Sequence, residues 1–176
     1  MKGSIACRVL LSLLSLFRPG LVFAQVWEDF SDGDFTQGVW WSGDSGAFVV
    51  DDETLQLNST GSDSSFLSAN MAFVADTVEW QGRVRLNFSP SSLNLVRVYL
   101  AASAQNLDGP LSAYFLQVGE TGGTDTWVLY RQNNYHLIPL LRGRGSLLAA
   151  PCEMGFKVFR FPGGRWELWS QEVASG

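Results

Sequence analysis

Cysteine, histidine and charge are all scarce in this sequence. Two Cys and one His in 176 residues are too few ligands for a zinc centre of ordinary spacing. Cys7 falls in a segment expected to be removed, so Cys152 would stand alone and could close no internal disulfide. Beside Pro151 it reads as a small buried hydrophobe, and no motif links it to His136 as a Cys–His catalytic pair would require. Charged residues make up only 16% of the chain against 46% hydrophobic and 13% aromatic, the composition of one packed domain and not of a disordered tail or a repeat array. With 12 basic residues against 17 acidic ones, the basic footprint by which a nucleic-acid binder displaces counterions is missing, and no nucleic-acid partner is expected. Helical periodicity is missing too, and no stretch beyond the first two dozen residues is long and apolar enough to span a bilayer.

What is present begins with an export signature. Lys2 and Arg8 precede an apolar run over residues 9–17, and Val22-Phe23-Ala24 ends in the small-residue pattern that a signal peptidase accepts. The run is far short of the roughly 20 residues of a membrane-spanning helix, and Arg18-Pro19-Gly20 breaks it. The reading is therefore a signal peptide over 1–24 and one domain over 25–176, secreted or at the cell surface. Removal of the leader leaves 9 basic and 17 acidic residues, a net charge of −8, unevenly spread: residues 25–82 hold eleven acids and no Lys or Arg, and residues 83–176 hold six acids and nine bases.

The remaining chain reads as strand after strand. Trp80, Gly82, Val84, Leu86 and Phe88 alternate with Gln81, Arg83, Arg85 and Asn87, a period of two that fits a half-buried strand. Further strands are expected over 26–30, 47–50, 54–58, 65–68, 96–102, 113–119, 126–132, 156–161 and 166–170, separated by Gly, Asp, Asn, Ser and Pro clusters, with Pro162-Gly163-Gly164 forming a tight hairpin. Many short strands at such spacing predict an all-β antiparallel sandwich.

The residues also carry a resemblance. Trp27-Glu28-Asp29-Phe30-Ser31-Asp32-Gly33-Asp34-Phe35-Thr36, Trp41-Ser42-Gly43-Asp44, the run from Glu79 through Asn87-Phe88-Ser89-Pro90-Ser91-Ser92 and Arg97-Val98-Tyr99-Leu100, and Leu107-Asp108-Gly109-Pro110-Leu111 to Gln117-Val118-Gly119-Glu120-Thr121-Gly122 look like the N-terminal β-sandwich of large exported bacterial proteins that also carry lamin-tail-like domains. The similarity spans essentially all of residues 25–176. It implies a concanavalin-like, laminin-G-like jelly roll that continues for several tens of residues past Gly176. A truncated reading frame is then expected, with the last strands missing and an unpaired sheet edge open to association.

Two candidate sites follow. The acidic residues Asp29, Asp32 and Asp34, with Glu28 near them and Asp51, Asp52 and Glu53 one strand later, offer hard oxygen ligands for a structural calcium, the one cofactor considered. Asp-Gly pairs also make turns without any metal, and Asp32-x-Asp34 lacks the later bidentate Glu of an EF-hand. The second site is an aromatic and cationic face. If Val96, Val98 and Leu100 point inward beside Val84 and Leu86, then Arg83, Arg85, Arg97 and Tyr99 share the opposite face, extended by Phe115, Gln117 and Tyr130. Aromatic rings covering pyranose faces, with Arg and Gln bonding hydroxyls or carboxylates, make a sugar-binding surface. The same arginines could instead pair with the acidic first third or sit singly in solvent. Most of the seven Trp are expected in the core; of the adjacent Trp40 and Trp41, Trp41 is the expected ligand contact.

Catalytic signatures are lacking. No Glu is followed two positions later by Asp, as on the catalytic strand of laminarinase-like hydrolases, no Gly-x-Ser-x-Gly elbow occurs, and Tyr99 with Arg97 is thin support for a lyase. Gly143-Arg144-Gly145 and Gly119-Glu120-Thr121-Gly122-Gly123 lack the strand–helix frame of a phosphate loop and read as turns. The expectation is a non-catalytic module that binds glycan or extracellular protein as part of a larger exported protein. A structural spacer or assembly domain is the alternative, and a polysaccharide hydrolase or lyase a weaker one.

Overall fold

The computed structural model describes residues 3–5, 26–61, 63–72, 76–122, 125–143 and 151–172. Residues 6–25, which include the expected cleavage point after Ala24, lie outside them. The described chain is all-β, and every strand pair in it is antiparallel.

Six strands form the larger sheet: β1 (Gly3–Ile5), β3 (Phe48–Asp51), β4 (Thr54–Leu57), β6 (Val78–Leu86), β11 (Cys152–Arg160) and β12 (Trp166–Glu172), in the order β12-β11-β6-β1-β4-β3. Four form the second, β7 (Val96–Ala102), β8 (Leu111–Val118), β9 (Val128–Asn134) and β10 (His136–Arg142), in the order β10-β9-β8-β7. A two-stranded ladder joins β2 (Trp41–Gly43) to β5 (Leu67–Ala69). No helix among the described residues is long and apolar enough to cross a membrane.

Alternation builds the core. Along β6 the residues Val78, Trp80, Gly82, Val84 and Leu86 are buried, and along β11 so are Cys152, Met154, Phe156 and Val158. These side chains meet Val96 and Leu100 of β7, Leu116 and Val118 of β8, and Trp127 and Leu129 in one apolar cluster, so the two sheets share a core between them. Each large side chain that leaves water here contributes about 1.5–3 kcal/mol. Phe156 lies opposite Gly82 in the ladder, and its ring meets Trp127 edge-on at 5.5 Å. A smaller cluster of Phe30 and Leu55, flanked by Phe35, Phe48, Val50 and Leu67, fills the β3–β4 end.

Several expectations change. Residues 26–30 form no strand: Phe30 has φ +57° and turns its ring into the small cluster. β2 and β10 were not expected. β10 contains Pro139 within a continuous apolar run, which obscures the strand period, and it occupies the sheet edge where a missing N–H is tolerated. β1 belongs to the segment read as a leader, yet it lies between β4 and β6, with Ser4 opposite both Gln56 and Arg85.

Candidate functional site

The face of the four-stranded sheet turned away from the core gathers five of the expected residues. Tyr99, Phe115 and Tyr130 are direct cross-strand neighbours on β7, β8 and β9. Their rings form a row, 4.9 Å between Tyr99 and Phe115 and 5.5 Å between Phe115 and Tyr130. Such spacing is within the range of favourable aromatic contact. One register step along, Arg97 faces Gln117. The Arg97 guanidinium lies 4.9 Å from the Phe115 centroid, and its Nε donates to Gln117 Oε1 at 2.8 Å.

Depth separates these residues by role. Phe115 is wholly buried and Gln117 nearly so, whereas Tyr99 and Tyr130 are half-buried and Arg97 is exposed. Phe115 and Gln117, expected to touch a ligand, instead lie under the residues that reach solvent. Gln117 donates from Nε2 to the Gly119 carbonyl at 2.9 Å, which fixes the amide that holds Arg97. Gln132, also buried, donates to the Asn134 carbonyl at 2.8 Å and accepts from the Tyr99 hydroxyl at 3.4 Å.

An open cleft of about 590 Å³ adjoins the row, lined by Ser92, Leu95, Gln117, Gly119, Glu120, Thr121, Tyr130 and Arg142. On its wall Arg142 grips both oxygens of Glu120, and the Tyr130 hydroxyl donates to Glu120 Oε1 at 3.2 Å. The Arg142 hydrogen bonds hold the Glu120 carboxyl below its ordinary pKa. Burial first, and the Glu120 charge second, push the Tyr130 hydroxyl above its own. At neutral pH the wall is therefore a neutral ion pair capped by a protonated phenol. Glu120, Gln132 and Arg142 were not foreseen. Gln132 shares the parity of Tyr130 and was legible; Glu120 read as a turn residue, and Arg142 sits on the strand that its proline obscured.

Arg83 and Arg85 do not belong to this face. The connection after β6 crosses from one sheet to the other, so the outward residues of β6 and β7 point to opposite sides of the molecule. Arg83 lies 3.7 Å from Glu153, and Arg85 is the register neighbour of Glu153 on the six-stranded sheet. Trp41 is also elsewhere. It is half-buried, 6.4 Å from the Phe30 ring and away from the four-stranded sheet, while Trp40 beside it is 70% exposed. Trp27 and Trp169 are exposed as well.

The acidic N-terminal segment folds into turns closed by its own carboxylates. Asp29 accepts from Ser31 N–H, Asp32 from Asp34 N–H, and Asp34 from Thr36 N–H at 2.7 Å. Glu28 is buried and accepts from Phe30 N–H, and burial raises its pKa despite that bond. The Thr36 N–H and hydroxyl lower that of Asp34. Among the described residues no three His, Cys, Asp or Glu side chains converge as a metal-binding group, so Asp29, Asp32 and Asp34 are not gathered into a calcium donor set.

Comparison of the chain with family models, curated proteins and solved structures finds no match.

Proposed function

We propose that this chain is a non-catalytic glycan-binding module of an exported protein, with a jelly-roll topology of the concanavalin and laminin-G type, and that the tyrosine row of the four-stranded sheet is its binding surface. One observation carries the reading: three adjacent strands bring Tyr99, Phe115 and Tyr130 into a single row flanked by an exposed guanidinium and an open cleft. Half-buried tyrosines offer an apolar ring to the C–H face of a sugar and a hydroxyl to its rim. The buried glutamines beneath them hold the layer in register.

A glycan-array screen of the folded full chain tests this. Saturable binding that Tyr130→Ala reduces at least tenfold, with a cooperative melt retained, is the expected outcome. A blank array from folded protein refutes it. The assembly-domain alternative draws on a separate feature, the edge strand β10, where Leu137, Ile138 and Leu140 are 39%, 47% and 37% exposed. If that edge pairs with another chain, sedimentation shows concentration-dependent association that Ile138→Lys abolishes.

A further inference from the structure

Building on the glycan-binding reading, we infer that the ligand carries carboxylate groups, as a polyuronate does, and that Arg97 is the residue that reads them. The argument rests on how this cation is held. At the far end of its row Arg142 is neutralised by Glu120, and elsewhere Arg83, Lys157 and Arg165 pair with Glu153, Glu79 and Glu167. Among the described residues Arg97 has no carboxylate partner. Arg85, Arg131 and Arg160 share that lack, but no side chain hydrogen-bonds them. Arg97 is fixed by neutral groups: Nε is bound to Gln117 Oε1, the guanidinium lies against Phe115, and Gln117 is anchored on the Gly119 carbonyl.

A charged group held by uncharged, buried supports is preorganised for an anion that the protein does not supply. Because Gln117 occupies Nε, the open part of the guanidinium is its Nη1–Nη2 end, a planar pair of donors that matches the two oxygens of a carboxylate. Arg97 and Tyr99 are two residues apart on one strand, a separation of about 6.7 Å along it. A pyranose ring resting on Tyr99 with its C6 edge toward the Arg97 end of the strand brings a C6 carboxylate within reach of Arg97. With Arg142 neutralised by Glu120, Arg97 is, among the described residues, the cation of this row that reaches solvent without a carboxylate beside it.

The test measures affinities of the full chain for polygalacturonate, for carboxyl-reduced polygalacturonate and for dextran sulfate by titration calorimetry, with wild type, Arg97→Gln and Arg97→Lys. Polygalacturonate is expected to bind about tenfold tighter than its reduced form, the increment of one charge-assisted pair. In Arg97→Gln that ratio falls to about one, and Arg97→Lys, which keeps the charge but loses the fork, recovers less than half of it on a logarithmic scale. Equal affinity of wild type for the acid and reduced polymers overturns the carboxylate assignment and leaves the glycan-binding reading standing. Dextran sulfate binding as tightly as polygalacturonate, or a full preference in Arg97→Lys, overturns the planar-fork argument in favour of a general anion contact. Failure to bind any of the three polymers, with the melt intact, overturns the carboxylate inference and leaves the glycan-binding reading to the array.

Discussion

Replacing Gly119 by Ala strikes the point where the strand β8 ends and the cleft begins. Gly119 has φ +113°, and a Cβ built on it would lie 2.6 Å from Leu95 Cβ, 2.7 Å from the Ser91 carbonyl oxygen and 2.9 Å from Leu95 Cα. Two of those three atoms are backbone, so relief requires the 91–95 loop to move. Gly122 is the internal control: its φ is +105°, yet nothing lies within 4 Å of its Cβ position. Both substitutions incur the backbone strain of a positive φ, about 1–3 kcal/mol, and both gain the same reduction in unfolded-chain entropy. Only Gly119→Ala adds overpacking against backbone, about 1–3 kcal/mol more. For a chain of this size that difference, about 2 kcal/mol at mid-range, lowers the melting temperature of Gly119→Ala roughly 4–8 °C below that of Gly122→Ala. Calorimetric melts of the two variants decide the matter. Melting temperatures within about 1 °C of each other would refute the close approach of the 91–95 and 119–122 loops and, with it, the wall of the cleft.

Glu28→Gln keeps the acceptor for Phe30 N–H while removing a charge that burial disfavours. Because the folded pKa of Glu28 is raised, its ionised form weakens the fold as pH climbs through the unfolded and then the folded value. The variant is therefore more stable than wild type at pH 7, and melts compared across pH show the gain vanishing below about pH 3.5, where Glu28 is protonated folded or unfolded. Glu120→Gln behaves oppositely. The folded pKa of Glu120 is lowered, so its stabilisation is complete above the ordinary carboxylate value and is lost as pH falls through the depressed one; at pH 7 the variant costs at most about 1 kcal/mol, because Arg142 is half in solvent. Hydrogen exchange tests β1: amides on the flanks of β4 and β6 that face it are protected in the full chain and exchange faster when residues 1–24 are removed, and unchanged rates would show that β1 does not hold its place in the sheet.

Period-two alternation makes β6 plain in the sequence, because its outward Arg83 and Arg85 contrast sharply with Trp80, Val84 and Leu86. Val96, Arg97, Val98 and Tyr99 gave β7 its faces in the same way, with the bounds of that strand as expected. Alternation tells which residues share a face of one strand and says nothing about which sheet the strand joins. Alternation alone therefore groups Arg85 with Arg97, although the link from β6 to β7 passes between sheets. β10 was hidden because its run His136-Leu137-Ile138-Pro139-Leu140-Leu141-Arg142 has neither alternation nor a strand-permissive centre, and the register slips between Pro139 and Leu141.

The burial of β8 explains why the candidate site is a layer and not a bare surface. A sandwich strand with one wet face should expose alternate residues, yet Leu111, Ala113, Phe115 and Gln117 on the outward parity are buried along with Leu116 and Val118 on the inward one. Among the described residues, Arg97, Tyr99 and Tyr130 lie over Phe115 and Gln117 on that second face. Buried amides are tolerated only when their hydrogen bonds are made, and both glutamines make them to backbone carbonyls as well as to the side chains above. A solvated strand face needs no such support. Holding an arginine and two tyrosines in fixed positions over a buried aromatic restricts their rotamers, and that restriction lowers the entropy cost of binding a rigid ligand. If the face binds glycan as proposed, the same supports that remove side-chain freedom in the free protein favour that recognition, and Gln117 and Gln132 contribute to it as much as the residues that reach solvent.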